Sequence, residues 1–277
     1  MESRKIVRPW DDPACKPETI PPPPGTEDVV FTSKYDGSEQ RYLLVPPNGI
    51  LPAGPVDVLF TFHGHGADRW QFVVENKWER RATRDFANAH GMLLVAPDYR
   101  APASWMGPAA EADVLQIVDD LKSRFQVRRV FFSGASMGGT ATLTLGALHP
   151  GLAAGLVAMN PLADHVSYVN FQDAIEASFG GSKTEKFEEY RKRSALYYPE
   201  RFTVPVSITV SGLDEAVPPE SATLLAMAIH ELRPDLVFFE SCPWRIHMTD
   251  YEGALRAFEE MLARADRLAQ EEAAGNA

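Results

Sequence analysis

The chain predicts an α/β fold: a mostly parallel, eight-stranded twisted sheet with helices on both faces and a small lid insertion. Three observations carry this. Short β-branched and apolar runs alternate with segments of helical length from about residue 56 onward. Several of these runs end in loops rich in Gly, His or Asp, such as His63-Gly64-His65-Gly66. The run Val130-Phe131-Phe132-Ser133 turns through Gly134-Ala135-Ser136-Met137-Gly138 into an Ala/Leu/Thr-rich stretch that ends near His149-Pro150. Parallel neighbours need crossover helices of one hand, which gathers the loops at the strands' carboxyl ends on one edge of the sheet.

Residues 1–26 carry Pro9, Pro13, Pro17 and the run Pro21-Pro22-Pro23-Pro24-Gly25. Such a stretch forms neither ladder nor helix and predicts an extended, proline-rich arm. Segments 28–33 and 40–45 alternate in polarity around Asp36-Gly37, a hairpin signal. A strand over 56–62 follows, then a helix over about 76–90, a strand over 92–96, and an amphipathic helix from Pro108 to about Phe125. After the serine-bearing strand and helix comes a strand over 156–160. The alternation then stops, and residues 164–201 predict a lid or insertion over the site. It resumes with a strand over 205–210, a helix over 220–232, a strand over 236–241 and a helix over about 251–268. The polar residues 270–277 predict a frayed end.

The 277 residues are 45% apolar and 23% charged, an ordinary globular composition, with a net charge of -11. Lys and Arg are scattered among Asp and Glu, so no basic stripe is present to follow a phosphate backbone and nucleic acid is excluded as a partner. No apolar run reaches the length of a membrane span, and Met1-Glu2-Ser3-Arg4-Lys5 leads into Pro and Asp rather than an apolar export signal. As written the chain reads as cytoplasmic; a signal removed beforehand would make it secreted. Cys15 and Cys242 are the only cysteines, which excludes a disulfide framework and leaves one bridge or two thiols.

In the stretch around Ser136, a serine on a tight strand-to-helix turn sits at strained backbone angles, so its neighbours two residues away on either side must be nearly free of side chain. Gly134 and Gly138 meet that need. The helix that follows aims N–H groups and its positive dipole end at the hydroxyl, making the Met137 N–H a candidate donor to an oxyanion. The competing reading is an ordinary serine helix cap.

Four motifs stand in order: His63-Gly64-His65-Gly66, Gly134-Ala135-Ser136-Met137-Gly138-Gly139, Gly212-Leu213-Asp214-Glu215-Ala216-Val217-Pro218, and His247 after the last strand. On these the chain resembles the α/β-hydrolases, and more narrowly the single-domain serine esterases related to the prolyl oligopeptidase catalytic domain. The resemblance spans roughly residues 28–268, making 27–270 an α/β-hydrolase domain between the arm and a flexible tail over 271–277. It implies Ser136 as nucleophile, His247 as general base and Asp214 as the acid that orients it, in the chain order Ser, Asp, His. It also implies an oxyanion hole formed by the backbone N–H groups of His65 and Met137. Glu215 is the rival for Asp214; His63 reads as a residue that orients its loop.

No carboxylate or Cys stands at ligand spacing from His63 and His65, so the expectation is no metal and no cofactor. Trp70, Trp105, Phe179 and Trp244 lie in loops that could wall a substrate pocket or simply pack. The sequence therefore predicts a serine hydrolase that cleaves carboxylic esters of small acyl, aromatic acyl or carbohydrate type through an acyl-enzyme. A small peptidase or acyltransferase, or a non-catalytic scaffold of the same fold, are the alternatives.

Overall fold

A computed structural model describes residues 18–275. Strands β1 (Glu27–Thr32) and β2 (Glu39–Val45) form the expected antiparallel hairpin. Gly37 takes a φ of 75° in the turn, and Asp36 accepts hydrogen bonds from the Ser38 N–H and hydroxyl. β2 then joins the sheet antiparallel to β4 (Leu93–Pro97). The remaining strands run parallel: β3 (Val56–Phe62), β5 (Val127–Ala135), β6 (Gly155–Met159), β7 (Val206–Ser211) and β8 (Val237–Cys242). The order across the eight strands is β1-β2-β4-β3-β5-β6-β7-β8, a doubly wound sheet.

Period-two alternation divides the apolar side chains between two faces. Val58, Phe60 and Phe62 of β3 and Phe132 of β5 lie in one core, while Leu59 and Phe131 lie in the other. Helices α3 (Pro108–Arg124), α4 (Met137–Leu148) and α7 (Glu220–Leu232) cover the first face through residues such as Val114, Ile117, Leu145 and Leu225. Helices α2 (Trp78–Ala89) and α8 (Tyr251–Gly275) cover the second, where Phe86 stacks on Phe258 at 4.8 Å between ring centroids.

Two features differ from the sequence reading. The helix expected over 76–90 is α2, but a further short helix, α1 (Gln71–Val74), precedes it. Between them Glu75 is extended, and Glu18–Ile20 of the arm runs alongside: Ile20 N–H donates to the Val74 carbonyl and Asn76 N–H to the Glu18 carbonyl. The arm thus makes a short antiparallel pairing with the segment between the two helices. The second difference is at the other end, where α8 continues to Gly275 through most of the expected frayed tail. Its Ala, Glu and Gln residues are good helix formers that extend it past the core. Pro9, Pro13, Pro17 and Cys15 lie outside the described residues, and so does any pairing of Cys15 with Cys242.

The segment over 164–201 contains two short helices, α5 (Gln172–Phe179) and α6 (Phe187–Lys192), and no strand. One ion-pair cluster fastens it to the body. Arg193, 1% exposed, donates to the Met106 carbonyl at 2.6 Å, Glu111 Oε2 at 2.7 Å and Glu189 Oε1 at 2.5 Å. Glu111 Oε1 in turn faces His149 Nε2 at 2.8 Å. Burial would raise the Glu111 pKa, but the His149 hydrogen bond and the Arg193 charge outweigh it and hold the carboxyl at about 2.

A carboxyl so depressed stabilises the folded state above its ordinary 4.5 and loses that contribution as pH falls toward 2. Urea unfolding of Glu111→Gln should accordingly show a shallower loss of stability across that window than the parent protein. Arg193→Ala, which leaves a hole in the buried position of the guanidinium and takes the partner from the half-buried Glu111 and Glu189, should cost roughly 3–5 kcal/mol by the same measurement.

Candidate active site

The turn after β5 is built by close backbone approach. Ser136 adopts φ 59° and ψ -124°, a conformation that L-residues rarely occupy. A Cβ on Gly138 would stand 1.9 Å from the Phe62 carbonyl oxygen, and one on Gly134 would stand 2.5 Å from the Gly138 backbone. The glycines are therefore required by β3 and α4 crowding the turn from either side. Thr140 N–H bonds back to the Ser136 carbonyl and starts α4, whose first N–H belongs to Met137.

Asp214 leaves β7 in a tight turn that Gly212 permits by packing against the Pro243 backbone. Its Oδ1 accepts the N–H groups of Ala216 and Val217, at 3.0 and 2.9 Å, so the carboxylate cannot swing. Oδ2 is left to face His247 Nδ1 at 2.5 Å, and His247 Nε2 lies 2.7 Å from Ser136 Oγ. The Asp214 side chain is 1% exposed and that of His247 20%, so the chain of contacts runs from the interior to a wetted hydroxyl. With Nδ1–H donating to Asp214, Nε2 is free to accept the serine proton. The structure thus brings together Ser136, Asp214 and His247, and leaves Glu215 outside the relay, with its carbonyl accepting from Asn170.

The loop after β3 presents successive N–H groups, most of them taken. Gly64 N–H donates to Gln71 Oε1 at 2.8 Å, Gly66 N–H to the Pro102 carbonyl at 2.8 Å and Ala67 N–H to the Gly64 carbonyl. Among the described residues the His65 and Met137 N–H groups have no such acceptor. His63 sits beneath, with Nε2 3.0 Å from the Asp98 carbonyl and Nδ1 2.8 Å from that of Gly64, and burial lowers its pKa. With both ring nitrogens facing backbone carbonyls, it holds the loop. Partial burial, reinforced by nearby His63, lowers the pKa of the His65 ring, which accepts a hydrogen bond from Trp105 Nε1 at 3.2 Å.

The aromatic residues divide. Trp105 and Phe179, read from the sequence as pocket walls, are buried at 0% and 3% exposure and belong to the core. Both side chains are covered by the insertion: Trp105 packs on Tyr168 and Phe171, and Phe179 on Tyr190 and His165. Trp244 is exposed, and Trp70 is half-buried beside the loop after β3.

Residues missed from the sequence are Tyr168, Asn170 and Phe171. Tyr168 donates its hydroxyl to the Ala216 carbonyl at 2.6 Å, Asn170 Nδ2 reaches the Glu215 and Ala216 carbonyls at 3.0 Å, and the Phe171 ring centroid is 4.5 Å from that of His65. They tie the insertion to the acid loop and the oxyanion loop together. Nothing in a non-periodic segment announces such contacts.

Comparison with known proteins agrees with this geometry. The model of the prolyl oligopeptidase family matches residues 99–250. Among solved structures, a fluorophosphonate-binding serine hydrolase of Staphylococcus aureus is similar with a TM-score of 0.64 at 14% identity, over 87% of this chain and 98% of that one. An S-formylglutathione hydrolase from the same organism gives 0.62 at 16%, over 87% and 98%. A puromycin-hydrolyzing peptidase of Mycobacterium tuberculosis gives 0.68 at 17%, over 87% of this chain but 39% of the peptidase. Comparison with curated protein sequences gives no significant match.

The sheet, its order of loops and the family match define a serine hydrolase of the α/β-hydrolase fold. Within that class the chain belongs to the prolyl oligopeptidase family, by a match that covers more than half its length. Among the described residues no helix is long and apolar enough to cross a membrane.

Gly138→Ala tests the construction of the turn. Its methyl group has no room against the Phe62 carbonyl, so the variant should lose roughly 1–3 kcal/mol in urea unfolding together with most labelling of Ser136 by a fluorophosphonate. Gly37→Ala, where no atom lies within 4 Å of the added carbon, should retain full labelling.

Proposed function

We propose that the protein hydrolyses carboxylic esters through an acyl-enzyme on Ser136, with His247 as general base and acid and Asp214 as its orienting carboxylate. The observation that carries the proposal is the unbroken relay from Asp214 Oδ2 through His247 to Ser136 Oγ, with both spacings at hydrogen-bond length. Ser136 Oγ attacks the ester carbon as its proton passes to His247 Nε2. The carbonyl oxygen becomes an oxyanion, held by the N–H groups of Met137 and His65. Collapse expels the alcohol, which leaves with the proton from Nε2, and water repeats the sequence on the acyl-enzyme. Asp214 stabilises the imidazolium at both stages and stays ionised throughout.

Ester rather than peptide substrates are supported by the size of the structures that this chain matches along nearly their whole length. One of these is named for hydrolysis of S-formylglutathione, an activated acyl compound, whereas the puromycin-hydrolyzing peptidase is matched over a minor share. An alcohol also departs more easily than an amine, and the relay described needs no further group to expel it. The half-buried Phe171 and the exposed His65 ring, packed on each other, would form the acyl-side surface, with Trp105 and the buried Tyr168 behind them as its support.

Ser136→Ala should abolish turnover of p-nitrophenyl acetate and butyrate without lowering the urea midpoint, and near-parental activity would refute the assignment. Asp214→Asn should cut kcat by a factor on the order of 10⁴, because the imidazole then loses its tautomer. Glu215→Gln should retain activity. Rates should fall on acidification, since a protonated imidazole cannot take the serine proton; a flat profile from pH 5 to 8 would exclude a histidine base. Hydrolysis of amino-acid anilides with no hydrolysis of any ester would place the protein with the peptidases instead.

A further inference from the structure

A cavity lies beside the loop after β3, on a different set of residues from the aromatic surface just described. It measures about 450 Å³, within the usual range of ligand sites, and is lined by Gly66, Asp68, Trp70, Gln71, Glu75 and, from the arm, Thr19. Gly64 links it to Ser136. A Cβ placed on that glycine would stand 3.6 Å from Gln71 Oε1 and 3.8 Å from Ser136 Cβ. Gln71 Oε1 is committed to the Gly64 N–H, which leaves its amide NH₂ for the cavity. The arm is part of the wall because Glu18–Ile20 is paired with Val74–Asn76, which sets Thr19 opposite Glu75.

The charges select among ligands. Glu75, one of the two carboxylates, is ion-paired with Arg80 at 3.0 Å. The Arg69 guanidinium lies 5.5 Å from the Trp70 ring and is itself paired with Asp28 and Asp98. A bound ammonium would compete with Arg80 for Glu75. What remains available is hydrogen-bonding capacity beside an indole: the Thr19 hydroxyl, the Gln71 amide and the Asp68 carboxylate, whose Oδ1 also accepts the Trp70 N–H at 2.9 Å. Hydroxyls can donate to the carboxylates and accept from the amide, and a sugar ring offers C–H faces to the indole.

We propose that this cavity, walled in part by the proline-rich arm, receives the alcohol portion of the substrate and selects a saccharide there. The inference rests on the ester-hydrolase reading above and adds to it the class of leaving group. It also gives the arm a task, that of closing a subsite.

The test uses three acetates that share one acyl group: a methyl glucoside acetylated at its primary hydroxyl, hexyl acetate and acetylcholine. The full chain should prefer the sugar ester in kcat/KM. Thr19→Trp, which fills the cavity from the arm, and Trp70→Ala should each lower the ratio of sugar to hexyl ester about tenfold, chiefly through KM, equivalent to losing about 1.4 kcal/mol of binding. Preference for acetylcholine, preference for hexyl acetate, or a ratio that neither substitution moves would overturn the saccharide subsite. Fluorophosphonate labelling of Ser136 in each variant separates the causes. A labelled enzyme with an unmoved ratio refutes this inference alone, whereas no labelling and no ester turnover in the parent protein refutes the ester-hydrolase reading with it.

Discussion

The structure depends on one crowded crossing, where the turn after β5 passes beneath the end of β3. With the Phe62 carbonyl only 1.9 Å from where a Gly138 side chain would begin, the turn has no slack, and Ser136 is driven to φ 59°. That strain is held by its surroundings: β5 is paired with β3 and β6 along the sheet, and α4 is anchored in the core on one face of it. A nucleophile presented in this way needs no side-chain contacts of its own to stay in place.

The parallel sheet then does the assembling. Ser136, Asp214 and His247 are separated by long stretches of chain, yet each follows the carboxyl end of a strand, and β5, β7 and β8 place those ends along one edge. The acid is fixed by its own turn before it meets the histidine, since Asp214 Oδ1 is occupied by two N–H groups. Only one oxygen of the carboxylate is left, and it sets the imidazole tautomer. Orientation at the site is therefore inherited from backbone geometry.

The insertion is bound differently, by polar groups. Arg193 ties it to α3 and to the loop before α3, while Tyr168 and Asn170 tie it to the acid loop. His165, fully buried beside Trp105 and Phe179, is held neutral, its pKa pushed down to about 3 by burial and by the Arg193 and Lys183 charges. A charged ring there would have no compensating partner, so the aromatic layer behind the site is kept uncharged.

The resemblance to the α/β-hydrolases singled out Ser136, Asp214 and His247, while the sequence by itself determined the eight-stranded sheet, its direction of winding and the turn that carries Ser136. Those features are local: apolar periods, the Asp36-Gly37 turn, and glycines at the two positions that flank Ser136. Boundaries were legible to within a few residues along most of the chain, whereas the short α1 carries no period of its own. Tertiary structure alone decided which aromatic rings are buried. Trp105 and Phe179 are aromatic like the half-buried Trp70 and Phe171, and burial depends on what packs over a side chain. It also decided that the arm borders a cavity beside the loop after β3, because a pairing between Thr19 and Glu75 leaves no period or motif in either segment.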